Sequence, residues 1–177
     1  MVRKDRWLNI MTLPEQYLQR LDSLQVKYRV IQHAPVRRML DDQEAAFAGV
    51  IVVKNILFSV DGKLVLVLQD DQNRVDVHTL ASVMGVSRSR VRMATNEELA
   101  AAMGVAPGLV SPLVLAEDTP VRVIISRQLT GRSALGFHFG DPARTAVISS
   151  ADLLRFLRNL GVEPQITSID GTKVQEG

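Results

Sequence analysis

The 177-residue chain contains no cysteine, which excludes a disulfide framework, a thiolate nucleophile and a sulfur-ligated zinc or iron site, and makes a reducing cytoplasm the expected setting. Histidine is scarce. His33, His78 and His138 show no metal-ligand spacing, so no metal and no other cofactor is expected. Also missing are a GxSxG elbow, an HExxH pair, a P-loop and a GxGxxG turn, which removes the common hydrolase, metalloprotease and nucleotide-binding signatures. No segment approaches the roughly 20 apolar residues needed to span a bilayer. The opening "MVRKDRWLNIMTLPEQ" lacks the apolar core of a signal peptide, so a soluble protein without a membrane partner is expected. The formal charge of +2 is too small to define a nucleic-acid partner by itself, and the placement of the basic residues matters more than their sum.

What is present is enough apolar sequence, 46% of residues, for one domain with its own core. "TLPEQYLQRLDSLQ" has Thr12 and Glu15 at capping-box spacing and Leu18, Leu21 and Leu24 at helical intervals, which predicts a helix. "YRVIQH" (28–33) predicts a strand and "LDDQEAAFAG" a short helix from about Asp41 to Gly49. "VIVVKNILFSVDGKLVLVLQ" holds two apolar runs around Asp61-Gly62, the strongest short hairpin signal. Two helices end at Gly85 and Gly104, the second opened by a Thr95/Glu98 capping box. "SRSRVRMA" between them reads as a strand, "VAPGLVSPL" as a loop, "VRVIIS" as a strand, and "GFHFGDPARTAVIS" as strand, turn and strand. "SSADLLRFLRNLG" is a final amphipathic helix. Residues 1–27 read as an N-terminal helical extension on the domain, 28–162 as the domain, and the polar, aperiodic 163–177 as a flexible tail.

Lys54 stands out in this pattern because it sits in a strand whose two faces are both apolar. Two readings stand. Its stem packs and its head snorkels to the sheet edge, or its ammonium lines a pocket and meets an anion or a carbonyl. The adjacent Asn55, also polar in the same run, favours the second. His138, in "GFHFGDP", is either a turn residue or part of a pocket wall where glycines let a ligand approach the backbone. In a strand, Arg88, Arg90 and Arg92 would project from one face, which makes either a phosphate-tracking stripe, extended by Arg37 and Arg38, or a solvated edge.

The order of these segments carries more than any one of them. "HAPV", an acidic helix, "VKNILF" with its hairpin, "RVDVHTLASVMG", "ATNEELAAAMGVAPGLVSPL" and "GFHFGDPARTAVISSADLLRFL" together resemble the YbaK and prolyl-tRNA synthetase-associated editing-domain family over residues 33–157. The resemblance implies a single α/β (α+β) domain with a mixed, largely antiparallel sheet surrounded by helices. It implies a trans-editing hydrolase that deacylates mischarged aminoacyl-tRNA, a small amino acid such as Ala, Cys or Ser on proline tRNA, with prolyl-tRNA synthetase as a further partner and a monomer or weak homodimer as its state. The alternative is a tRNA- or nucleotide-binding module on a degenerate editing fold. The family's Lys-Asn pair falls on Lys54 and Asn55, its Ser-Pro loop on Ser111 and Pro112, and its Gly-His segment on Gly136 and His138. Lys54, Gly136 and His138 are therefore the expected catalytic set, with backbone amides near Gly136 as oxyanion donors. Asn55, Phe58, Ser111, Pro112, Phe137 and Gly140 are expected to bind substrate, and Arg37, Arg38, Arg88, Arg90 and Arg92 to bind tRNA. The chain departs from many relatives at Arg37-Arg38 and at Phe139.

Overall fold

Leucine and valine alternate along "KLVLVLQ" with both faces covered: Leu66 and Leu68 belong to one core, Val65 and Val67 to another, and all four are fully buried. This is the signature of a strand sandwiched between two layers. The computed structural model, which describes residues 12–35 and 45–171, contains two mixed sheets and four helices. Strands β1 (Arg29–Gln32), β2 (Ile51–Val52), β3 (Lys54–Val60), β4 (Lys63–Gln69), β5 (Val91–Met93), β6 (Val121–Ser126), β7 (Leu135–Phe137), β8 (Arg144–Ile148) and β9 (Gln165–Thr167) alternate with helices α1 (Leu13–Ser23), α2 (Val77–Met84), α3 (Asn96–Met103) and α4 (Ser150–Asn159). One sheet has the order β1-β8-β7-β2 and the other β5-β3-β4-β6-β9. The pairs β2/β7, β4/β6 and β6/β9 are parallel and the rest antiparallel.

The larger core fills the space between the sheets. Leu57, Leu66, Leu68, Val123 and Ile125 of the second sheet meet Leu135, Phe137, Ala146 and Ile148 of the first, closed by Leu21 of α1 and Leu153, Phe156 and Leu157 of α4. The smaller core lies on the second sheet's far face, where Phe58, Val65, Val67 and Ile124 pack with Leu80 and Ala81 of α2.

Local chemistry sets the element ends. The β3–β4 turn places Asp61 at φ 49° and Gly62 at φ 78°, the paired left-handed conformation of a tight hairpin. Thr95 and Glu98 form the reciprocal capping box of α3, and the Asp76 carboxylate accepts from the His78 and Thr79 amides at the start of α2. At α1, by contrast, the expected capping box is not formed: Thr12 makes no side-chain cap bond, and the Glu15 carboxylate is engaged with Arg144 at 2.8 Å.

Several expectations are corrected. "SRSRVRM" is not one strand: Arg88–Arg90 form a single 3₁₀ turn and only Val91–Met93 are extended, because the chain must bend there to bring Val91 opposite Val60. The segment after residue 162 is no loose tail through 171, since β9 adds to β6 in parallel and Ile169 is fully buried in the smaller core. The helix expected over 41–49 falls partly outside the described residues, and 45–49 form turns ending at Gly49 with φ 74°.

Candidate active site

The site forms where the chain changes sheets. After β2 pairs with β7, the Val53 amide donates to the Gly136 carbonyl at 3.1 Å, and one residue later Lys54 opens β3 in the other sheet. Val53 is buried at this joint, but Lys54 and Asn55, at the gap between the two sheets, are only half-buried. The loop 104–111 crosses the gap. Gly108, at φ 88°, supplies a backbone turn that other residues resist, and Ser111 fastens the loop by accepting from the Leu113 amide at 3.2 Å. His138 follows directly on β7. The result is a cleft of about 240 Å³ lined by Val53, Lys54, Asn55, Ile56, Gly108, Val110 and His138.

The Lys54 ammonium donates to the Asn73 carbonyl at 3.1 Å, and the Asn55 amide nitrogen donates to the Val53 carbonyl at 3.1 Å. Asn55 Oδ1 and His138 Nδ1 are buried without a hydrogen-bond partner, so both residues keep bonding capacity that the protein does not use. Burial pushes the His138 imidazole below its usual pKa and positive charge on His33 pushes the same way, against the backbone carbonyls of Arg144 and Asp141 and the Asp141 carboxylate. His33 itself lies 6.3 Å from His138, ring centre to ring centre. Its Nδ1 is 2.8 Å from the Ala34 carbonyl and its Nε2 2.9 Å from Thr145 Oγ1, which fixes the hydrogen of the neutral ring on Nδ1. The turn after His138 is locked by Asp141, which accepts from the Ala143 amide at 2.8 Å and from Arg144 Nε at 2.6 Å.

None of the lining residues carries a hydroxyl, thiol or carboxylate. The arrangement can offer an ammonium, an amide oxygen and an imidazole to a polar ligand, and it leaves the attacking role to water. No group of side chains among the described residues could hold a metal ion.

The expected site residues divide accordingly. Lys54, Asn55 and His138 meet in the cleft. Phe58 does not, because it lies four residues along β3 from Lys54 and is buried in the smaller core. Phe137 is buried in the larger core, and Ser111 and Pro112 are buried beneath the loop rather than on its surface. Gly140, at φ 85°, abuts the Tyr17 ring. Gly136 sits in the middle of the first sheet, opposite Val52 on one side and Val147 on the other, so its strand's amides serve the ladders and are poor candidates for oxyanion donors. The arginine stripe is not formed: Arg90 pairs with Asp61, Arg92 makes two 2.8 Å bonds to Glu98, and Arg88 donates to the Val91 carbonyl. Arg37 and Arg38 lie outside the described residues. Sequence reasoning missed Gly108 and Val110, whose signal was the Pro107-Gly108 step, and the Asn73 carbonyl, which had none.

Residues 33–156 match the family model described as the aminoacyl-tRNA editing domain. The chain belongs to that family. Family membership makes it an aminoacyl-tRNA deacylase by class. It is 28% identical over 156 residues to the prolyl-tRNA editing protein ProX of Acetoanaerobium sticklandii, covering 85% of this chain and 94% of that one. It is also 28% identical over 164 residues to the bovine (Bos taurus) prolyl-tRNA synthetase associated domain-containing protein 1, covering 86% and 92%. Its fold matches a crystal structure described as a candidate trans-editing enzyme for prolyl-tRNA synthetase, with TM-score 0.70, 20% identity and coverage of 92% and 99%. No helix among the described residues is long and apolar enough to cross a membrane.

Proposed function

We propose that this editing domain acts in trans on mischarged proline tRNA and hydrolyses the ester of a small amino acid, Ala, Cys or Ser, in the cytoplasm alongside prolyl-tRNA synthetase. One observation carries the reading: a single small cleft holds Lys54, Asn55 and His138, and the last two each have a buried polar atom with no protein partner. The names of the relatives supply the tRNA. Size supplies the amino acid. The apolar wall of Val53, Ile56 and Val110 leaves about 240 Å³, which suits an aminoacyl group with a short side chain next to a ribose. A synthetase pocket gains only about 1–3 kcal/mol of discrimination per methylene, so small amino acids are the errors that need a second sieve.

The chemistry asks little of the protein. Water adds to the ester carbonyl, the bond to the ribose oxygen breaks, and the free amino acid leaves a restored terminal hydroxyl. The vicinal ribose hydroxyl orients the water, Lys54 places positive charge where the carbonyl oxygen becomes negative, and Asn55 Oδ1 accepts from the substrate's α-ammonium. His138, whose neutral form is favoured by its burial, accepts a hydrogen bond from the ribose. Ser111 and Pro112 support this cleft from below. Arg88, Arg90 and Arg92, exposed beside the hairpin, contact the tRNA backbone as separate charges rather than as a stripe.

The test is release of amino acid from Ala-, Cys- and Ser-charged proline tRNA. Ester loss above the no-protein control with at least one of them is expected. Lys54→Ala is expected to abolish it while leaving the thermal midpoint unchanged or higher, since a half-buried ammonium is costly to keep. No ester loss with any of the three would favour a binding module, and full activity in Lys54→Ala would remove the lysine from the mechanism.

A further inference from the structure

Asp70 is buried, 7% exposed, and nothing in the proposed reaction uses it. Its partners are amides rather than a cation. Oδ1 accepts from the backbone amides of Gln72 at 2.9 Å and Asn73 at 3.0 Å, and the Asn73 side-chain amide reaches both carboxylate oxygens at 3.0 and 3.1 Å. The same Asn73 amide donates to Gln128 Oε1 at 2.9 Å, and Gln128 in turn donates to Asp170 at 2.6 Å. Behind Asp70, its own amide donates to Gln69 Oε1 at 3.0 Å, and Gln69 is the residue paired with Lys54 across the β3–β4 ladder. All of this converges on Asn73, whose carbonyl receives the Lys54 ammonium.

We infer that Asp70 is a positioning residue for Lys54, acting through the Asn73 carbonyl. A lysine has a long stem with about 2 kcal/mol of rotamer entropy, so an ammonium intended for one spot must be held there. A carboxylate in direct contact would hold it but would also neutralise it. A neutral carbonyl occupies one of its three N–H donors and leaves the charge and the other two for a substrate. The carbonyl can do this only if its own turn is rigid, and the buried carboxylate fixes that turn through charge-assisted bonds, which are roughly twice as strong as neutral ones. The effect on catalysis rests on the deacylase reading; the holding of the ammonium does not.

Two measurements on the full chain separate these. Nitrogen-15 correlation spectra of lysine ammonium groups, with the Lys54 peak assigned by its loss in Lys54→Ala, are expected to show that peak displaced from the exposed lysines, returning to them in Asp70→Ala. Asp70→Asn, which keeps one acceptor for the turn amides, is expected to fall between and serves if the alanine variant fails to fold. On the proline tRNA that the wild type deacylates, Asp70→Ala is expected to lower kcat/KM about 10- to 100-fold, chiefly through kcat, as misplacement of a reacting group does. Adding it to Lys54→Ala is expected to change any residual rate by less than about twofold. An unmoved Lys54 peak in the Asp70 variants overturns the inference whatever the activity. A moved peak with unchanged kcat/KM, or equal losses with and without Lys54, overturns its catalytic part. A wild type inactive on all three tRNAs overturns the deacylase reading alone, and the spectra still decide the positioning.

Discussion

Gly136→Ala tests how the two sheets are joined at the cleft. Gly136 needs no unusual backbone angle; what it requires is space. A Cβ built there would lie 3.1 Å from Thr145 Cγ2 and 3.1 Å from Val50 Cγ1, whereas carbon atoms pack best at about 3.5–4.0 Å. The methyl is therefore squeezed from both sides. Thr145 is buried and tied to His33, so the strain is relieved mainly by moving Val50 and the β2 strand behind it. Overpacking of this kind costs about 1–3 kcal/mol, and removal of glycine's freedom in the unfolded chain returns about 0.4–1 kcal/mol. The net expectation is a loss of about 1–2 kcal/mol, which for a domain of this size lowers Tm by about 2–8 °C. Because the Gly136 carbonyl holds the Val53 amide one residue before Lys54, a displaced β2 also shifts the cleft, and kcat/KM should fall even where the variant is fully folded. Thermal melts by circular dichroism and deacylation at 25 °C measure the two effects. A Tm equal to or above that of the wild type, with unchanged kcat/KM, would refute the reasoning by showing that the β2–β7 gap accepts a methyl without shifting the joint.

Four further outcomes are expected. Since burial lowers the His138 pKa in the folded state while the unfolded ring keeps a value of about 6.5, the unfolded chain takes up the proton first as pH falls. Stability should therefore decline below about pH 6.5, and His138→Asn should flatten that decline in urea midpoints taken at pH 7.5 and 5.5; equal slopes in both proteins would remove His138 as the cause. Arg144 joins Asp141 at 2.6 Å and Glu15 at 2.8 Å and lies over the Phe139 ring at 5.1 Å, so Arg144→Ala should cost about 1–3 kcal/mol, with early loss of α1 in hydrogen exchange; an α1 no less protected than in the wild type would count against that bond as its anchor. Thr95→Ala removes the α3 cap and should cost about 1 kcal/mol by chemical denaturation. Loss of Glu98's Arg92 partner should let its carboxyl, held down to about 2 by that bond and the Thr95 amide, titrate nearer the ordinary range in an Arg92→Ala variant followed by NMR.

Much of the fold was legible because its signals are local. Asp61-Gly62 forces a tight turn with both residues at positive φ, and the Thr95/Glu98 box and Gly104 bracket α3 whatever surrounds them. Two failures share one cause. "SRSRVRM" alternates like a strand but bends at Arg88–Arg90, and the polar stretch after Val162 forms β9 because β6 offers an open parallel edge. In both, a partner distant in sequence decides the conformation, and periodicity within the segment cannot register it.

The same distinction explains what could be read of the site. Lys54 and Asn55 announced themselves as polar residues in an apolar run, and the unbroken alternation around them suggested one continuous strand. The structure instead breaks that run at Val53, where the chain passes from one sheet to the other. A lysine inside a continuous buried strand would need a carboxylate or a route to solvent. At a junction between sheets it needs only a nearby carbonyl, and the turn that follows β4 supplies one through Asn73. The break was invisible because Val53 is as apolar as its neighbours, and the residues that make the break useful, Asp70 and Asn73, lie in the polar stretch after β4, which carried no signal of its own. The part of the site that recognises chemistry lay in residue type; the part that holds it in place lay in a crossing between sheets, which no stretch of sequence spells out.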